Sequence, residues 1–68
     1  MTVDEIKKRV KKIEDMSGDS EAAHYAEDGL HQDVLEAIAK EFIGSGQIAD
    51  CAAAALETRS IDFDRWYA

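Results

Sequence analysis

Two glycine-containing breaks interrupt a sequence whose apolar residues otherwise recur at helical spacing, and these breaks constrain the fold most. The first is Ser17-Gly18-Asp19-Ser20 and the second is Gly44-Ser45-Gly46. Proline is absent, and no stretch alternates apolar and polar residues as a strand would. Short links favour antiparallel neighbours. The sequence therefore predicts an all-α protein, a small antiparallel three-helix bundle with a short aromatic C-terminal turn.

We expect a single helical domain over residues 1–68, and local sequence signals predict where its helices begin and end. Thr2 is the expected N-cap of the first helix, with Glu5 completing a capping box. Gly18 can adopt the left-handed conformation that closes a helix, and Asp19 or Ser20 can cap the second. The expected helices span about 2–16, 20–43 and 46–59, and the C-terminal turn spans 61–67.

Apolar stripes on the three helices predict the core. The first helix contributes Val3, Ile6, Val10 and Ile13. We expect the third helix to cover the second half of the second helix over Val34, Leu35, Ile38 and Phe42. The stripe of the third helix is Ile48, Cys51, Ala52, Ala55 and Leu56. Cys51 is expected to be a small buried side chain and not a nucleophile.

Size and composition limit how stable this core can be. The chain has 68 residues, and 11 of its hydrophobic residues are alanine. Domains this small bury only about 60% of the surface that their unfolded chains expose. Cys51 alone cannot form an internal disulfide, so a metal or self-association becomes a more attractive source of stability. With one cysteine and neither an apolar leader nor a spanning run, we expect a cytoplasmic protein without membrane contact.

The charge is negative and unevenly distributed. The formal net charge is −7; residues 1–16 contribute +1 and residues 17–68 contribute −8. The acidic body should attract basic protein surfaces and repel nucleic acid, so direct nucleic-acid binding is not expected. The basic cluster at residues 7–12 is interpreted as a solvated helix face. The acidic balance also leaves open an acidic DNA-mimic inhibitor of a host nucleic-acid enzyme.

A cluster of ionisable residues shares the apolar side of the second helix, and it is the candidate site. It consists of His24, Glu27, Asp28 and His31. In one interpretation the C-terminal tail covers the cluster, with Arg65 pairing to Glu27 or Asp28. In a second, the cluster is a face for self-association or for another protein, and it includes the tail residues Arg65, Trp66 and Tyr67. In a third, a divalent transition metal binds to His24, Asp28 and His31.

Two segments together resemble small uncharacterised acidic helical proteins encoded by phages, prophages and their bacterial hosts. The first comprises Glu21-Ala-Ala-His24, then Glu27-Asp28-Gly-Leu30-His31 with Val34-Leu35 and Ile38-Ala39, and the second is Ile61-Asp-Phe63-Asp-Arg65-Trp66-Tyr67-Ala68. The resemblance implies a compact cytosolic protein of mobile-element origin, and it provides no activity to carry over to this chain. We therefore expect a non-enzymatic protein–protein interaction module that self-associates or binds a host protein and needs no cofactor.

Overall fold

Three α-helices and two short 3₁₀ turns make up a computed structural model of the chain, which describes residues 1–65. The helices are α1 (Val3–Asp15), α2 (Ser20–Ala39) and α3 (Ile48–Leu56), and the 3₁₀ turns span Ser45–Gln47 and Glu57–Ser60. Each helix packs against the other two, and residues 1–65 contain no strand. The all-α, three-helix prediction is thus confirmed.

None of the helices in this part of the chain is long and apolar enough to cross a membrane.

Side-chain caps set the starts of α1 and α2. The Glu5 N–H donates to Thr2 Oγ1 at 3.2 Å, and the Thr2 hydroxyl donates to Glu5 Oε1 at 3.1 Å. The Ala22 N–H donates to Asp19 Oδ1 at 3.1 Å, so Asp19 is the cap of α2. Each cap provides a partner for a backbone N–H that the helix itself leaves unpaired, which is typically worth about 1 kcal/mol.

α2 ends at Ala39, four residues before the predicted boundary at residue 43, and a residue in the left-handed conformation follows its end. Glu41 has φ 59°, the Phe42 N–H donates to Ala37 O at 2.8 Å, and the Glu41 N–H donates to Ile38 O at 3.2 Å. These two hydrogen bonds form a Schellman motif, in which glycine usually occupies the left-handed position. Gly18, which was expected to be left-handed, does not have a positive φ. Backbone hydrogen bonds to Lys12, Ile13 and Glu14 close α1 instead.

The core buries fewer large apolar side chains than the apolar stripes of the sequence predicted. Its buried side chains include Ile6, Ile13, Leu30, Val34, Ile43 and Cys51, together with several alanines. The expected burial of four large side chains is wrong, since Leu35 is 68%, Phe42 67%, Leu56 60% and Ile48 37% exposed. Phe42 follows the end of α2, so its helical-wheel position has no meaning. Leu35 lies on α2 and Leu56 is the last residue of α3, and the facing helix leaves both of them exposed.

Candidate functional site

A buried ion pair connects α2 to the C-terminal segment. Arg65 Nε lies 2.8 Å from Glu27 Oε1, and Arg65 Nη2 lies 3.0 Å from Glu27 Oε2. Glu27 is 2% exposed, and the Arg65 side chain is 16% exposed. The two parallel hydrogen bonds form the bidentate geometry in which arginine binds a carboxylate most strongly. Arg65 thus pairs with one of its two predicted partners.

The path of residues 61–65 brings Arg65 to this position. The 3₁₀ turn Glu57–Ser60 ends in the extended residue Ile61, and extended chain alternates its side chains between two sides. Ile61 and Phe63 are accordingly buried, whereas Asp62 and Asp64 are exposed. The Asp64 N–H donates to Ser20 Oγ at 3.2 Å and fixes the segment beside the start of α2.

Arg65 also ties together the backbone that precedes it. Its Nη2 donates to Thr58 O at 2.8 Å and Ile61 O at 3.1 Å, and its Nη1 donates to Phe63 O at 3.3 Å. The guanidinium carbon lies 3.7 Å from the centre of the Phe63 ring, within the range of a cation–π interaction. Arg65 therefore holds the turn after α3 and its own segment in one arrangement.

The charge of Glu27 is stabilised despite its burial. Burial by itself raises the pKa of Glu27, but the hydrogen bonds and the positive charge of Arg65 outweigh that effect. The pKa of Glu27 consequently lies below its ordinary value. The pair is an internal structural element, because both carboxylate oxygens already accept hydrogen bonds from Arg65.

His31 extends the polar contacts of Glu27 toward α3. Its Nε2 lies 3.1 Å from Ala55 O and 3.0 Å from Thr58 Oγ1. The Thr58 side chain is fully buried, and its hydroxyl also lies 3.2 Å from Ala55 O. An Nε2–H that donates to Ala55 O or Thr58 Oγ1 satisfies this arrangement. His31 therefore joins α2 to the carbonyl-rich end of α3.

The predicted metal set is not assembled. His24 Nε2 lies 3.5 Å from Asp28 Oδ2, while the His31 ring contacts Thr58 and the end of α3. Across residues 1–65, no three side chains of the histidine, cysteine, aspartate and glutamate types are grouped so that they could hold a metal ion. In this arrangement His24, Asp28 and His31 do not converge, because His31 is directed to Thr58 and the end of α3; the alternative in which these three residues bind a metal stays a prediction.

An apolar groove between α2 and α3 is a feature that the sequence reasoning missed. It has a volume of about 290 Å³ and is lined by His31, Val34, Leu35, Ile38, Ala52, Ala55 and Leu56. We call these seven residues the α2–α3 groove. No charged side chain belongs to this lining, in a protein of which 34% of the residues are charged. Leu35 and Leu56, the two leucines of this lining, are 68% and 60% exposed.

The predicted interaction residues are divided between different places. Glu27 and Arg65 form the internal ion pair, and His24 lies beside Asp28. His31 is the member that reaches the α2–α3 groove. Trp66 and Tyr67, two of the seven residues of the expected aromatic turn at 61–67, lie outside the described residues. No sequence signal marked the groove, because the exposure of Leu35 and Leu56 depends on where α3 lies across α2.

No family model matches this sequence, and comparison with curated proteins and with solved structures finds no significant similarity.

Proposed function

We propose that this protein is a non-enzymatic protein–protein interaction module whose contact surface is the α2–α3 groove. One observation carries the proposal: Leu35 and Leu56 stand 68% and 60% exposed at the edges of a groove with an uncharged lining. Depletion of charge at the centre and exposed large apolar side chains are typical of interfaces. The antiparallel helix arrangement expected from the sequence is part of this proposal, and the hydrogen bond from the Met1 ammonium to Phe42 O supports it.

The internal polar contacts give the groove a rigid base. His31 lines the groove and also contacts Ala55 and Thr58, while Arg65 holds Thr58 from the other side. A surface that is fixed before binding loses less conformational entropy when a partner docks. In this proposal Glu27 and Arg65 support the binding surface and do not themselves contact the partner.

Capture experiments with matched variants test the proposal. The immobilised wild-type protein is exposed to a lysate of its source organism beside a Leu35→Gln/Leu56→Gln variant and a Tyr25→Gln control. Tyr25 is 83% exposed but does not belong to the groove lining. We expect the same proteins to be retained by wild type and by Tyr25→Gln, and to be lost with the groove variant. Equal retention by all three proteins would refute the groove as the contact surface.

Self-association is measured in parallel by analytical ultracentrifugation. A dimer that the groove variant abolishes and Tyr25→Gln preserves would also support an interaction module, with a second copy as its partner. A wild-type protein that stays monomeric and whose retained proteins do not depend on the groove leaves this function without support.

A further inference from the structure

The α2–α3 groove is long enough to contact about two turns of a helix. Its α2 wall runs from His31 to Ile38, which is roughly 10 Å at 1.5 Å per residue. Two turns of a docked helix match that length. Apolar side chains spaced three, four and seven residues apart on such a helix would point into the groove.

The charges around the groove distinguish between possible occupants. Residues 17–65 contain eleven acidic and three basic side chains, and the basic Arg65 is already paired with Glu27. The basic cluster of α1 does not contribute to the groove lining, and its members Arg9 and Lys11 make ion pairs with Asp33 and with Glu14 and Asp15. The body that carries the groove therefore has a negative field.

A second copy of this chain is a poor match for that field. Two groove faces brought together would place two bodies of the same negative sign side by side, which opposes association. A partner with positive charges beside an apolar face is attracted to the acidic body, and its apolar residues can cover Leu35 and Leu56.

We propose that the α2–α3 groove binds an amphipathic helix that carries basic side chains along the borders of its apolar face. This inference rests on the proposed function and names the class of partner. The apolar residues of the helix cover Leu35 and Leu56. The basic residues face the acidic body and increase the rate of association. Affinity for this partner falls with salt because its electrostatic part is screened.

A synthetic peptide provides the probe. It is an acetylated and amidated peptide of about 14 residues, with leucines along one helical face and lysines on the others, about 21 Å long as a helix. The matched control peptide carries glutamate at every lysine position. Fluorescence anisotropy of a labelled peptide measures binding to the full chain at about 50 mM and about 500 mM salt, which correspond to long and short screening lengths.

We expect the lysine peptide to bind at micromolar concentrations and the glutamate peptide to bind at least about tenfold more weakly. Leu35→Gln and Leu56→Gln should each weaken lysine-peptide binding by about tenfold or more, and Tyr25→Gln should leave it unchanged. Both leucines are exposed, so the variants should fold, and circular dichroism checks that they do. Leu35→Ala and Leu56→Ala provide a second pair of variants without a new polar group.

Four results would overturn the proposal. Binding of the lysine peptide that ignores all groove variants would indicate general attraction to an acidic protein. Equal binding of the two peptides would remove the charge argument. A groove-dependent dimer in ultracentrifugation would make the second copy the occupant. Groove-dependent capture from the lysate without peptide binding would reject the basic helix and keep the proposed function, so the two failures are distinguishable.

Discussion

Removing Arg65 tests whether the buried ion pair controls stability. In Arg65→Met the side chain keeps its apolar stem, but Glu27 stays 2% exposed with no cation beside it, and three backbone carbonyls lose a donor. Breaking a buried pair in this way costs about 3–5 kcal/mol. A domain of this size has a total stability of roughly 3–10 kcal/mol. We therefore expect Arg65→Met to lose a large part of the stability of the domain at pH 7, and to unfold if the total lies at the low end of this range.

Glu27→Gln is the matched variant that removes the buried charge and keeps a hydrogen-bond acceptor. Its cost should be smaller than that of Arg65→Met, about 1–3 kcal/mol, because the amide keeps one of the two acceptors and the cation left behind is 16% exposed and still bonded to backbone carbonyls. Urea unfolding followed by circular dichroism gives both values, provided that the denaturant slope stays constant among variants. A variant that does not fold without help is measured in the presence of a stabilising osmolyte beside the wild type.

A small loss of stability in Arg65→Met would contradict a controlling role of the ion pair. If Arg65→Met loses less than about 1 kcal/mol, the pair behaves as an exposed salt bridge and does not organise the C-terminal segment. The cost should also shrink as the pH is lowered, because burial without Arg65 raises the pKa of Glu27 and the carboxyl then takes up a proton readily. If the loss of stability in Arg65→Met does not change with pH, it comes from the lost packing of the Arg65 side chain and not from the charge of Glu27.

Three further predictions concern acid stability, the middle of α2 and its end. The pKa of Glu27 in the folded protein lies below its unfolded value of about 4.3, so its contribution to wild-type stability should be present above that pH and be lost as the pH falls through the folded pKa. In Glu27→Gln the midpoint of urea unfolding should therefore fall less over this acidic range than it does in the wild type. Gly29→Ala should stabilise by about 1 kcal/mol and raise the thermal midpoint by several degrees, because a β-carbon there meets only the Arg9 Nη2 atom at 3.9 Å; an unchanged or lower midpoint would contradict this. Glu41→Gly should stabilise by about 0.5–1 kcal/mol in urea unfolding because glycine tolerates the left-handed conformation, whereas a loss of stability would mean that the Glu41 side chain contributes more than its strained φ costs.

Features specified by neighbouring residues were predictable from the sequence. Thr2 and Asp19 cap the helices as expected, because a short polar side chain and the N–H three residues later meet wherever a helix starts. The pairing of Arg65 with Glu27 was also among the expected contacts, since a charged residue on an apolar helix face needs a partner of opposite charge.

Features that depend on how whole helices end and pack against one another were not predictable from neighbouring residues. The end of α2 carries glutamate where a glycine would have marked the left-handed position, so no sequence signal placed it at Ala39. The exposure of Leu35 and Leu56 depends on where α3 lies across α2, which a helical wheel of either helix alone does not contain. The candidate groove was missed for the same reason.

The alanine-rich third helix has a consequence for how this protein responds to temperature. α3 contributes Ala54 and Ala55 to the core where larger side chains would bury more apolar area. The heat capacity of unfolding rises with the apolar surface exposed, so this core should give a small value and a shallow stability curve. Moderate cooling or warming then changes the folded fraction little. Binding of a partner, which adds to stability in proportion to the logarithm of its concentration, becomes the stronger control over how much of the protein is folded.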